Sequence, residues 1–239
     1  MKRVLLLAGA GAARRLAGQL AAAGHDVTAS LAGVTAQPAA YPCALRRGGF
    51  GGVAGLTDWL RQHRTEAIVD ATHPFAATIS AHARAAAEAA GVPLLTVARP
   101  PWSPRPGEHW WNAPDIDAAV AMLPPGARAF AATGRKSAGL FARRSDVWTA
   151  VRIIDPPTAP FPGDGAYIVA RPPFDEAAER RLFERLRITH LVVKNAGGAA
   201  GRTKLDAAAA LTLPIIVVER PPAPASEALS AEDILSRLT

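Results

Sequence analysis

Cysteine is almost absent: Cys43 is the single one in 239 residues. That excludes a disulfide framework and a cysteine-based metal site, and Cys43 is read as a small apolar side chain. No histidine pair stands at metal-ligand spacing with a supporting acid, so no metal is expected. Aromatic residues make up only 6%, and no Lys/Arg-rich tract of the kind that marks a nucleic-acid tail is present. No apolar run approaches the ~20 residues that span a bilayer, which excludes a helical integral membrane protein. Two enzyme signatures are missing as well. There is no phosphate loop closing on Gly-Lys-Ser or Gly-Lys-Thr, and no Tyr-x-x-x-Lys pair, since Tyr41 is followed by Leu45 and Tyr167 by Arg171. The apolar start, Val4 to Ala8, is short and passes into Gly11 and Arg14-Arg15, not into a cleavage site. It reads as a buried first strand of a cytoplasmic protein.

What is present belongs to a globular protein: 49% hydrophobic and 20% charged residues, enough chain for one large or two small domains. The formal charge is +7, from 27 basic and 20 acidic residues. That favours anionic partners, whether nucleic acid, membrane surface or polycarboxylate. An alanine and arginine bias of the kind a GC-rich genome imposes also raises the isoelectric point.

Strands and helices alternate along the chain. Val4–Ala8 is a strand buried on both faces, Ala12–Ala23 a helix closed by Gly24, and Asp26–Leu31 a second strand. Gly52–His63 is helical, Ala67–Asp70 a strand, Pro74–Ala90 a helix with Pro in its first turn and Gly91 beyond its end, and Pro93–Ala98 a strand. Arg99 to Gly107 is too rich in proline for regular structure. A short helix at Asp115–Leu123 stops at Pro124-Pro125-Gly126, where a domain boundary is expected. The second half repeats the alternation, with strands at Ala127–Thr133, Trp148–Ile154, Tyr167–Ala170, His190–Lys194 and Pro214–Glu219. Its helices are Ser137–Arg143, Asp175–Leu186, Gly201–Ala210 and Ser230–Leu238, the last capped by Ser230 with Asp233 three residues on. This predicts α/β architecture, with mainly parallel sheets covered by helices on both faces, over domains 1–125 and 126–239.

In such sheets ligands sit at the carboxyl ends of strands. Gly9-Ala10-Gly11-Ala12-Ala13-Arg14 is an incomplete dinucleotide fingerprint, with Arg14 where a third glycine would fall; the competing reading is a tight turn without a ligand. Ser30-Leu31-Ala32-Gly33 ends the second strand without the acid that meets a ribose 2′-hydroxyl. A hydroxyl with arginine nearby, Arg14 or Arg15, leans toward a 2′-phosphate. Arg46-Arg47-Gly48-Gly49-Phe50-Gly51-Gly52 is a low-bulk loop against which a flat ligand could lie, or a flexible connection. In Asp70-Ala71-Thr72-His73-Pro74-Phe75-Ala76, His73 precedes a helix N-terminus, whose dipole disfavours the imidazolium. Alternatively Asp70 or Thr72 simply caps that helix. Thr133-Gly134-Arg135-Lys136, Lys194-Asn195-Ala196-Gly197-Gly198 and Lys204 place cations at strand ends, which suits carboxylates. Arg99, Trp102 and Arg220 add to them; Trp102 would cover a ligand, whereas Trp59 and Trp148 read as core.

These stretches, taken together, resemble the precorrin-6A reductase family of cobalamin (vitamin B12) biosynthesis. The Asp-Ala-Thr-His-Pro-Phe-Ala run from Asp70 with the Gly-Gly-Phe-Gly-Gly run from Gly48 is specific. The matches extend nearly end to end, through Arg99-Pro100-Pro101-Trp102, Thr133-Gly134-Arg135, Lys194-Asn195, Lys204 and Arg220-Pro221. The sequence departs from the family in three places. Val34 stands where arginine often follows Ser-Leu-Ala-Gly, Ala10–Ala13 replace a Thr-x-Glu turn, and Ala196 replaces a serine. The first of these shifts the 2′-phosphate partner toward Arg14, Arg15 or Arg46.

The resemblance implies two Rossmann-like domains with a cleft between them. It implies NADPH as cofactor and hydride transfer to a double bond of precorrin-6A, giving precorrin-6B. Gly9, Gly11, Ala12, Ala13, Arg14, Ser30, Leu31, Ala32 and Gly33 would serve the cofactor, with Thr72 and His73 at the nicotinamide end. Gly48, Gly49, Phe50, Gly51, Arg99, Trp102, Thr133, Gly134, Arg135, Lys136, Lys194, Asn195, Gly197, Gly198 and Lys204 would meet the tetrapyrrole. His73, Asp70 and Lys204 are the candidate acids. A monomer is expected, in transient contact with neighbouring pathway enzymes and with no nucleic-acid or membrane partner. The rival readings are a reductase of the cobalt-bearing precorrin or of another anionic substrate, and a non-enzymatic binder of polyanions.

Overall fold

The computed structural model describes residues 1–9, 11–33, 39–222 and 228–238. Ala10 and Val34, two of the departures noted above, lie outside the described residues. The chain forms two compact units, residues 1–99 with 221–239, and residues 100–220.

The first unit holds strands β1 (Arg3–Leu7), β2 (Asp26–Leu31), β3 (Ala44–Arg47), β4 (Ala67–Asp70) and β5 (Leu94–Val97). Its helices are α1 (Gly11–Ala22), α2 (Gly52–Gln62) and α3 (Ala77–Ala90). The second unit holds β6 (Trp110–Ala113), α4 (Ile116–Ala121), β7 (Arg128–Ala132), α5 (Ala138–Phe141), β8 (Trp148–Ile153) and β9 (Gly165–Val169). It continues with α6 (Glu176–Arg185), β10 (His190–Lys194), α7 (Thr203–Ala210) and β11 (Ile215–Val218). The chain then returns to the first unit as β12 (Ala228–Leu229) and α8 (Ala231–Leu238).

Each unit is built on a six-stranded sheet, and every strand pair in both is parallel. The first sheet runs β3-β2-β1-β4-β5-β12, the doubly wound dinucleotide-fold order. Alternation along β1 explains its two coats. Val4 and Leu6 join α1 and α8 in one core cluster, while Leu5 and Leu7 join α2 and α3 in another. The second sheet runs β6-β11-β10-β7-β8-β9. Phe130, Leu191, Val193, Ile215 and Val217 on its strands pack against Phe183 of α6 and Leu205 of α7.

The boundary expected at residues 125/126 is corrected to two crossings, at Arg99/Pro100 and Arg220/Pro221. Pro124–Gly126 is a turn inside the second unit, held by Gly126 N–H donating to Asp146 O. β6 belongs to the second sheet because it pairs with β11, Ile215 opposite Trp110. β12 belongs to the first because it pairs with β5. β3, β6 and β12, none of which the hydrophobic pattern marks, are all sheet edges. Each of these three has at most four residues, whereas the fourth edge, β9, carries the apolar run Ala-Tyr-Ile-Val and is marked by the pattern. Helix α3 begins at Ala77 rather than Pro74, after a turn in which Ala76 N–H donates to His73 O. Trp59 and Trp148 are half-buried at the margins of their cores rather than inside them. No helix among the described residues is long and apolar enough to cross a membrane. Among these residues no cluster of His, Cys, Asp or Glu is placed to hold a metal.

Candidate functional sites in each unit

In the first unit the strand order reverses between β1 and β4, so a crevice is expected beyond their carboxyl ends. Ala8 N–H donates to Ser30 O and Ala71 N–H to Leu7 O, drawing the turns after β1, β2 and β4 to one edge. The predicted cofactor residues meet there. Gly9 is exposed, and a side-chain carbon at Gly9 or Gly11 would meet nothing within 4 Å. The start of α1 is thus open to a ligand, and its first turn holds no acidic residue. Ala13 is buried in the core, so only its backbone faces this edge, and Arg14 is exposed.

Ser30 is buried, and its arginine partner is Arg46 rather than Arg14 or Arg15. β2 pairs with β3 so that Ser30 stands opposite Arg46. The guanidinium donates to Ser30 Oγ (3.0 Å), Gly48 O (2.9 Å) and Gly49 O (2.9 Å), and stacks 3.7 Å from the Phe50 ring centre. Burial lowers its pKa. The Gly48–Gly52 loop is therefore pinned, and the flexible-connection reading is set aside. Gly51 and Gly52 adopt φ of +80° and +89°. A side chain at Gly55 on α2 would come within 1.8 Å of Phe50 O, so the loop folds directly onto the helix. Phe50 packs edge-on to Trp59, centroids 5.8 Å apart, and so faces α2.

Asp70 is buried at the end of β4 and accepts from Thr72 N–H (3.0 Å) and Thr72 Oγ (2.7 Å). It orders its own turn and does not cap α3, whose N-cap Ala76 has no side-chain bond. Because α3 starts at Ala77, His73 stands a turn ahead of the helix. Phe75 N–H donates to His73 Nδ1 (3.2 Å), which leaves Nε2 as the nitrogen that carries hydrogen in the neutral ring. Arg99 closes the unit half-buried, and burial lowers its pKa.

In the second unit the order reverses between β7 and β10, so the turns at Thr133 and Lys194 flank its switch point. Thr133 is buried and bonded to Ser137 Oγ (2.6 Å), and Gly134 opens the turn at φ +87°. Arg135 reaches over to Pro156 O (3.0 Å), and Lys136 is exposed. Lys194 is half-buried. Burial first, and the nearby Lys136 charge second, lower its pKa.

Trp102 does not lie over a site. It is buried, donates Nε1–H to Gly198 O (2.8 Å), and has both backbone groups bonded by the Asn195 side-chain amide (2.8 and 3.0 Å). Asn195 and Gly198 therefore hold the chain where it enters this unit. Gly197 serves the same clasp: a side chain there would meet Pro100 O at 2.2 Å. Lys204 lies 5.2 Å from the Trp102 ring centre and donates to Gly201 O (2.5 Å). Burial holds its ammonium down at a pKa of about 8, against the upward pull of Glu179, while Arg152 also pushes it down.

Four residues that the strand-end motifs do not include complete this picture. Arg152 of β8 pairs with Glu179 of α6 at 2.8 Å, their side chains 9% and 2% exposed, and stacks on the rings of Phe130 and Phe174. The available signal was an arginine inside the apolar run Ala-Val-Arg-Ile-Ile.

Comparison with known proteins agrees with this fold. Residues 3–239 match the family model described as "Precorrin-6x reductase CbiJ/CobK". A precorrin-6A reductase of Rhodococcus erythropolis is 46% identical over 94% of this chain and 91% of its own length. One of Rhodobacter capsulatus is 44% identical over 95% of this chain and 91% of its own. A solved structure titled "CobK precorrin-6A reductase" superposes with a TM-score of 0.96 at 42% identity, covering 100% of this chain and 96% of that one.

Proposed function

Since the chain belongs to the precorrin-6x reductase family, we propose that it reduces precorrin-6A to precorrin-6B with NADPH. In this reading the first unit holds the nucleotide and the second the tetrapyrrole. The observation that carries it is the set of cations at the reversal point of the second sheet. Lys136 and Lys194 repel each other there, and burial disfavours the charges of Lys194 and Lys204. A polycarboxylate ring relieves both penalties through charge-assisted bonds.

NADPH supplies the hydride when bound. The residues of the first unit fit such a group. Gly9 and Gly11 leave open space at the start of α1, and no acid follows β2 to repel a 2′-phosphate. Arg46 spends most of its donors on Ser30 and the glycine loop, so it shapes the ribose end and lends its charge, with Arg47 beside it. Thr72 and His73 stand at the nicotinamide end, and Asp70 keeps their turn in place. The macrocycle accepts the electrons, so the protein's task is orientation of the two partners and exclusion of water. The proton added to the ring is sought by replacing His73, Asp70 and Lys204 singly with neutral residues; a residue whose variant keeps full turnover is not the donor.

The test is anaerobic oxidation of NADPH by the purified protein with metal-free precorrin-6A, with NADH and the cobalt-bearing ring in parallel. Turnover with NADPH and a shift of the tetrapyrrole spectrum is expected. Turnover with the cobalt ring alone moves the substrate assignment. Failure to bind NADPH overturns the reading.

A further inference from the structure

In the second unit a cavity of about 240 Å³ is lined by Gly134, Arg152, Ile154, Pro172, Phe174 and Lys204. Its walls are apolar apart from two cations. Arg152 uses Nη1 on both carboxylate oxygens of Glu179, at 2.8 and 2.9 Å. Its Nε is buried with no hydrogen-bond partner. No carboxylate among the described residues lies within ion-pair distance of Lys204, whose neighbours are Gly201 O and the Trp102 ring. Two cations, the nearly buried Arg152 guanidinium and the half-buried Lys204 ammonium, thus share one anion. A buried cation without a full partner is costly unless an anion arrives to complete it.

We propose that this cavity is a carboxylate subsite, in which Lys204 and Arg152 together receive the end of one short acidic arm of the substrate. The proposal rests on the tetrapyrrole reading above. Cavities that enclose a whole drug-sized ligand run from about 300 to 1,000 Å³, so this one suits an arm and not a ring. Ile154, Pro172 and Phe174 give the methylenes apolar contact, and Phe174 also steadies the guanidinium from 4.2 Å. Glu179 is a positioning residue: it holds Arg152 in place and keeps the cluster from carrying two uncompensated charges. Gly134 has open space in front of it, which leaves the cavity's rim clear.

The test uses sodium propionate as probe, followed by saturation-transfer NMR on the intact protein, with inorganic phosphate as a control anion. Wild type is expected to bind propionate. Lys204→Met, and the double variant Arg152→Met/Glu179→Gln that removes the ion pair as a unit, are expected to bind it at least tenfold more weakly. In turnover, the same variants should raise KM for precorrin-6A about tenfold and leave NADPH affinity unchanged. Unchanged propionate binding and unchanged KM in both folded variants overturn the subsite while leaving the reductase reading intact. Wild type that binds propionate through these residues but turns over no precorrin overturns the reductase reading and, with it, the assignment of the arm. Preference for phosphate over propionate overturns the carboxylate class.

Discussion

Lys204 shows how one half-buried charge ties stability and binding to pH. Its folded pKa of about 8 lies below the usual 10.5. Between those values the unfolded chain binds the extra proton, so the stability due to this residue rises from about pH 8 to 10.5 and is lowest below 8. Ligand binding runs the other way, because the ammonium is lost above about 8. KM for precorrin-6A should climb as pH passes that value, and Lys204→Met should flatten the profile; Glu179 and Arg152 face the same ammonium and set where the step falls. Two glycines carry steric predictions. Gly55→Ala forces a carbon against Phe50 O and should cost about 1–3 kcal/mol by overpacking, read by urea denaturation. Gly197→Ala meets Pro100 O at φ +68° and should lose at least as much. Arg46→Met should lower the preference for NADPH over NADH and loosen the glycine loop, read as the ratio of kcat/KM for the two coenzymes. Asp70 and His73 were legible as a motif, but only the hydrogen bonds assign Asp70 to its own turn.

At the scale of elements, the long apolar strands were legible because burial on both faces demands continuous Val, Leu, Ile and Ala. Three of the four edges were not: β3 carries Arg46 and Arg47, β12 has only two residues, and β6 follows the proline-rich stretch; the fourth, β9, was legible. The capping box of α8 was legible and is present, with Ser230 Oγ accepting from Asp233 N–H (3.0 Å) and the Asp233 carboxylate accepting from Ser230. Ser230→Ala should cost about 1 kcal/mol and fray the helix that buries Ile234 and Leu238. Loss of amide-exchange protection in residues 231–238, with the second unit unaffected, would check this.

For the whole molecule, the two crossings matter most. The first sheet is completed by residues 221–239, so a chain cut after Arg220 strips β12 and α8 from β5 and uncovers Leu95. Such a chain should show a lowered and broadened unfolding transition assigned to the first unit. The net charge of +7 predicts a second whole-molecule effect: KM for an anionic substrate should rise with ionic strength, since screening shortens the reach of exposed charges to about 8 Å at 0.15 M. A KM independent of salt would place all the binding in buried contacts.

The amino-acid order by itself determined the α/β class, the parallel sheets and the strand-end motifs, because burial periodicity and glycine turns are local and can be read within a few residues. The tertiary structure decided which strand pairs with which, and so where the units divide. It also decided that Arg46 rather than Arg14 meets Ser30, and that Asn195 grips Trp102. It brought Arg152 of β8 and Lys204 of α7 to one cavity, with Glu179 of α6 paired to the arginine. Those outcomes rest on contacts between residues far apart in the chain, whose energies depend on a packing that no local pattern encodes.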